Sequence, residues 1–201
     1  EVDYALHYFD EVLFDALPQL SNRLKQSLKE SFPNLRPPQN GFCSFGSWVG
    51  GDRDGNPFVT PPVTWETACY QRQGILEKYL RSMGELTGIL SPSLHWCDVM
   101  PEFLDSLEKD KQQMPEIYTE LALRYRQEPY RLKLAYIETR LKNTLLRNRR
   151  LSDPEERQMI HKGSEQNIYL SSQGFLDELQ LMQRSLQQTG LVCMELDNLI
   201  C

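Results

Sequence analysis

The chain has no apolar run near the roughly eighteen residues a membrane-spanning helix needs, no Cys-x-x-C pair and no opening signal peptide. Its five cysteines, Cys43, Cys69, Cys97, Cys193 and Cys201, are odd in number and widely spaced. That pattern fits reduced thiols in a cytosolic protein best. Histidine is scarce: His7, His95 and His161 lie in three different segments, so no H-E-x-x-H motif or Cys/His cluster can form, and each reads as a surface or packing residue. No glycine precedes Lys-Ser or Lys-Thr, which removes a Walker phosphate loop, and no G-x-S-x-G supports a serine nucleophile. Asp52, Asp54 and Asn56 echo a calcium loop, but Gly55 is misplaced for one and no glutamate closes it, so no metal ligand is assigned. An excess of positive charge is missing as well. The net charge of −6 argues against nucleic acid or an anionic membrane as a general partner.

Alternation of period two is also absent, and there is no internal repeat. What is present is helical. Leu6, Phe9, Leu13, Leu17, Leu20, Leu24 and Leu28 recur at spacings of three and four, which predicts one long helix over 2–32, ended by Pro33, Pro37 and Pro38. A second helix is expected from Thr64, as N-cap, to about Leu86, and a third from Ser93 to about Lys111. A fourth pattern, 116–146, begins after Pro115 and is broken at Glu128-Pro129, where a proline inside a helix removes a hydrogen bond and clashes with the preceding turn. Residues 147–172 are the least periodic and read as a flexible connection; Arg147, Arg149 and Arg150 within them read as a solvated helix end. Two last helices are expected over 172–188 and from 191 onward, separated by Thr189-Gly190. The fold class is therefore all-α, a single helical region over 1–201. It opens inside a helical pattern and stops inside an apolar run, and so reads as cut from a longer polypeptide.

One stretch cannot be helical. Residues 41–60, GFCSFGSWVGGDRDGNPFVT, crowd Gly46, Gly50, Gly51 and Gly55 around a single Trp48 and leave through Asn56-Pro57. The run Asp52-Arg53-Asp54 places an arginine fork, suited to an anion, between two carboxylates that can hold it or simply lock the loop by ion pairing. On residues alone, the loop is a bend with Trp48 in a core and its aspartates on nearby helix N-termini, or it is a binding loop.

The unbroken run from Phe45 to Pro57, FGSWVGGDRDGNP, resembles the signature of the bacterial-type phosphoenolpyruvate carboxylase family, with cyanobacterial members the nearest likeness. The resemblance extends to VDYALHYFDEVLFDALP, SLHWCDVM, RYRQEPYRLKLAYI and TGLVCMELDNLI, and so covers nearly the whole chain. It implies an internal fragment of a predominantly helical α/β-barrel enzyme, a lyase of carbon dioxide fixation. That enzyme carboxylates phosphoenolpyruvate with bicarbonate to oxaloacetate and phosphate, with Mg2+ or Mn2+. It further implies a cytoplasmic, allosteric homotetramer. Trp48 is expected to help form an apolar pocket beside the substrate, with Val49 where many relatives have Met, and Asp52, Arg53, Asp54 and Asn56 to order that loop. Arg131, in Glu128-Pro129-Tyr130-Arg131, is the place of a sugar-phosphate activator contact in plant relatives; a salt bridge to Glu128 or Glu138 is the competing reading. The family's T-A-H-P-T and G-R-G-G motifs and its metal-ligating acids have no counterpart here and are expected outside this chain. The piece alone is thus expected to be inactive. The alternative is a non-enzymatic helical scaffold or interaction domain.

Overall fold

The chain begins as one continuous helical run. α1 (Val2–Tyr8) passes through a π-helical turn (Phe9–Leu13) into α2 (Phe14–Ser31), with helical backbone at both junctions. The long helix expected over 2–32 is present, but not as a uniform α-helix. Pro18 sits inside α2 and has no N–H to offer the Phe14 carbonyl, and the π turn lies just before that defect, the Phe14 N–H donating to Phe9. The run ends as Phe32 donates to the Leu28 carbonyl at 2.8 Å ahead of Pro33. Its leucine stripe is half-buried except at Leu20, which is exposed.

This computed structural model describes residues 2–35, 43, 45–91, 99–160 and 166–200. Among them there is no strand, and no helix is long and apolar enough to cross a membrane. The chain divides into two compact units, Glu1–Ile75 and Leu76–Ile200.

Prolines set most of the later helix starts. α3 (Pro61–Ile89), α4 (Pro101–Gln113), α5 (Pro115–Leu121), α6 (Pro129–Ser152) and α7 (Pro154–Met159) each open on one, because the first turn of a helix has no use for the N–H that proline lacks. This corrects two expected boundaries. Thr64 is not the N-cap of α3: the helix starts at Pro61, and both the N–H and the hydroxyl of Thr64 donate to the Thr60 carbonyl. The third helix starts at Pro101, with Met100 extended ahead of it as a residue before proline prefers; the expected start at Ser93 lies outside the described residues. The fourth pattern is two helices, as a proline break requires, α5 ending at Leu121 and α6 running on to Ser152.

Within 147–172, the residues up to Ile160 and from Gln166 on are described. Residues 147–152 complete α6, and α7 follows directly, its first turn capped by the Asp153 carboxylate, which accepts from the N–H groups of Glu155 and Glu156. Then α8 (Ser172–Gln188) closes on Gly190 at φ 77°, with Leu191 N–H returning to the Leu186 carbonyl at 3.0 Å, and α9 (Met194–Ile200) follows.

The core of the second unit lies where α4, α6 and α8 pack on one another, with α5 against α4 and α6. Phe103 and Leu107, Leu134 and Ile137, and Leu179 and Met182 supply its centre, joined by Met83 and Leu86. Burying each such side chain contributes about 1.5–3 kcal/mol. Phe103 and Tyr130 stack with centroids 4.9 Å apart, and the Tyr130 hydroxyl meets Ser185 Oγ at 2.8 Å, so even the aromatic polar end is satisfied.

Candidate functional site

The glycine loop is a chain of tight turns. The Trp48 carbonyl accepts from the N–H groups of Gly51 at 3.1 Å and Asp52 at 3.0 Å, a geometry that needs Gly50 at φ 73°. Asp52 Oδ1 then accepts from Asp54 N–H at 3.0 Å, and Asn56 Oδ1 from Phe58 N–H at 3.0 Å. These two side chains therefore hold the loop's own backbone, as short polar side chains do in turns. Gly50 also lies flat against α3. A Cβ there would fall 2.8 Å from both Cβ and Cγ2 of the buried Thr67, and nearer still to its Oγ1.

What this scaffold presents outward is an aromatic ring and a cation. Trp48 is 79% exposed, so it does not fill a core in this chain, and Phe58 is 83% exposed. Gly46, Ser47, Trp48, Gly51 and Asp52 line an open concavity of about 310 Å³. Arg53 is exposed and pairs with neither flanking aspartate, so the loop is locked by Asx-type hydrogen bonds and not by the Asp52-Arg53-Asp54 ion pairs considered from sequence. Phe45, at the loop's entry, meets Phe9 of the π turn edge-on with centroids 6.1 Å apart. Trp48 and Asp52 thus share the concavity, while Arg53, Asp54 and Asn56 lie along the rest of the turn system.

Arg131 belongs to the other unit, in the first turn of α6. Its Nε donates to the Thr87 carbonyl at 2.8 Å and its Nη1 to Glu128 at 2.9 Å, tying the C-terminal end of α3 to α6. Of the two acids weighed for it, Glu128 is the partner.

A group of charges lies in the core of the second unit. Lys133 Nζ donates to Ser106 Oγ at 2.8 Å, Asp110 Oδ2 at 2.7 Å and Glu178 Oε1 at 2.8 Å. Arg140 adds bonds to Glu178 at 2.9 Å, to Gln113 at 3.3 Å and to Asp110, and the Tyr169 hydroxyl donates to Glu178. Burial alone would lower the Arg140 pKa, but Glu178 and Asp110 outweigh it and hold it above its ordinary value. Burial first, then the Glu178 charge, pushes the Tyr169 phenol well up, so it stays a donor. Tyr136, fully buried nearby, is pushed up to about 12 by burial and then by Asp110. With two cations matched to two carboxylates, the cluster is balanced and closed. It clamps α4, α6 and α8 together and offers no face to a substrate. Sequence reading passed over it, although Asp110 continues the Phe103–Leu107 stripe and Lys133 and Arg140 share a face of α6 with Ile137.

Among the described residues no three His, Cys, Asp or Glu side chains converge as a metal site.

The model of the family described as phosphoenolpyruvate carboxylase matches residues 1–201. The chain belongs to this family. Phosphoenolpyruvate carboxylases of Synechocystis sp., Thermosynechococcus vestitus and Prochlorococcus marinus are similar to it at 66%, 57% and 50% identity, each over 100% of this chain. The aligned parts are 19%, 20% and 21% of those relatives, so the chain spans about a fifth of their length. Fold and family together describe a chain that is helical, without strands, among the described residues and that belongs to the phosphoenolpyruvate carboxylase family.

Proposed function

We propose that this chain is the loop-bearing helical part of an enzyme that converts phosphoenolpyruvate and bicarbonate into oxaloacetate and phosphate, and that the glycine loop serves the reacting centre. The observation that carries this reading is the exposure of Trp48 on a backbone fixed by its own hydrogen bonds and by the Gly50–Thr67 contact. An indole held at the rim of a concavity supplies an apolar wall, and Arg53 adds a cation for phosphate or carboxylate.

The chemistry gives such a wall a purpose. A bicarbonate oxygen attacks phosphorus and the enolate leaves; the carboxyphosphate so formed yields carbon dioxide and phosphate, and the enolate carbon takes up the carbon dioxide. Water near carboxyphosphate or the enolate would divert both, and an apolar surface keeps it out. Mg2+ or Mn2+, when bound by ligands supplied elsewhere in the parent, would neutralise phosphate and enolate charge. The parent is proposed to be a cytoplasmic homotetramer under allosteric control. Arg131 is proposed to meet a sugar-phosphate effector through guanidinium N–H groups other than those given to Thr87 and Glu128. This piece alone is expected to be inactive.

The experiment is oxaloacetate formation by the full-length parent carrying Trp48→Ala, with the thermal midpoint recorded alongside. Activity should fall at least about tenfold while the midpoint stays put, because an exposed side chain contributes little to stability. Unchanged activity would return the loop to a structural bend and this region to a helical scaffold.

A further inference from the structure

The loop's internal hydrogen bonds fix its shape but not how it is aimed. Aim requires a contact with something rigid, and Gly50 has one. It lies against Thr67, a buried residue in the second turn of α3, so closely that no side-chain atom fits between them. The Trp48 carbonyl that takes the Gly51 and Asp52 N–H groups closes the turn around Gly50. Trp48 precedes Gly50 by two residues and Arg53 follows it by three, so a displacement at Gly50 moves both ends of the turn together. The other positive-φ glycine of the loop, Gly55, has nothing within 4 Å of a built Cβ, and Gly46 is equally open. Those positions need backbone freedom at most. Gly50 needs space as well.

We propose that Thr67 is the positioning residue of the glycine loop, a steric stop on α3 against which Gly50 rests and which sets where Trp48 and Arg53 are presented to the reacting groups. Thr67 acts through the loop and touches no substrate. The part of this inference that concerns catalysis rests on the proposed carboxylase role of the loop; the part that concerns aim does not. The stop works by shape: the atoms that crowd Gly50 are Cβ, Cγ2 and Oγ1 of Thr67, and valine reproduces that branched outline without the hydroxyl.

The test is a cycle in the full-length parent: Gly50→Ala, Thr67→Gly, both together, and Thr67→Val. Hydrogen exchange at the amides of Gly51 and Asp52 is read beside kcat, KM and the thermal midpoint. Gly50→Ala should speed exchange at both amides and lower kcat about tenfold or more, since misplacement of this size is costly to a reaction. Adding Thr67→Gly should restore slow exchange and most of kcat despite the left-handed backbone that alanine must still adopt. Thr67→Val should behave as the unsubstituted enzyme. The proposal is overturned if the double variant is no better than Gly50→Ala, because then φ alone demands glycine, or if Thr67→Val loosens the loop as much as Thr67→Gly. Recovery of exchange without recovery of kcat would uphold the stop and count instead against a catalytic role for the loop.

Discussion

Replacing Lys133 by methionine tests the buried charge cluster most sharply. The Lys133 side chain is 2% exposed, and its ammonium is held by three oxygens at 2.7–2.8 Å. Methionine keeps the apolar stem and most of the packing but leaves Asp110 and Glu178 facing one cation, Arg140, in place of two. Removing one partner from a buried ion pair costs about 3–5 kcal/mol, because a charge is stranded without water. Arg140 still reaches both carboxylates, so the loss should sit at the lower end, about 3 kcal/mol. In a chain of this size that corresponds to a midpoint roughly 6–12 °C lower. The assay is urea unfolding followed by helical circular dichroism. Lys133→Met combined with Asp110→Leu removes one charge of each sign and leaves Arg140 paired with Glu178, so the double variant should be more stable than the single. A single-variant loss under about 1 kcal/mol, or a double variant whose loss is the sum of the two singles, would refute charge balance as what holds α4, α6 and α8 in register.

Other expectations concern tyrosine and arginine. The Tyr136 hydroxyl is fully buried with no hydrogen-bond partner among the described residues, so Tyr136→Phe should stabilise the chain by roughly 1 kcal/mol at neutral pH, read from the urea midpoint. Its phenol is pushed up to about 12 in the folded chain, whereas an unfolded tyrosine titrates near 10. The folded state therefore keeps the proton longer, and stability should hold below pH 10 and fall as pH rises from about 10 to 12. Tyr136→Phe should flatten that fall without abolishing it, since Tyr169 is shifted the same way; an unchanged slope would contradict the assignment. Arg131→Gln should lower stability by about 1–2 kcal/mol through loss of the Thr87 and Glu128 contacts, measured as a midpoint shift. Loss of sugar-phosphate activation at an unchanged midpoint would instead make Arg131 an effector contact.

The sequence spelled out those helices whose limits are set by local chemistry. α8 was legible at both ends because apolar periodicity runs from 172 to 188 and Gly190 supplies the left-handed stop. The start of α6 was legible from Pro129. The start of α3 was not, because Thr64 looks like a cap and only the folded chain shows it donating back to Thr60. The π turn was hidden because it leaves the leucine spacing intact. Of the candidate site, the glycine turns were readable, whereas the Asx-type bonds of Asp52 and Asn56, the exposure of Trp48 and the Thr67 contact appear only in the folded chain. The charge cluster escaped because Lys133 and Arg140 look like solvated residues until α4 and α8 bring carboxylates to them.

The most direct measurement is kcat and KM for phosphoenolpyruvate in the full-length parent carrying Arg53→Gln, with the thermal midpoint taken on the same preparation. Arg53 makes no ion pair with its neighbours and is exposed, so its loss should leave the midpoint unchanged while oxaloacetate formation falls at least about tenfold. Unaltered kcat and KM would contradict the account, and the glycine loop would then be a turn that happens to carry a tryptophan and an arginine.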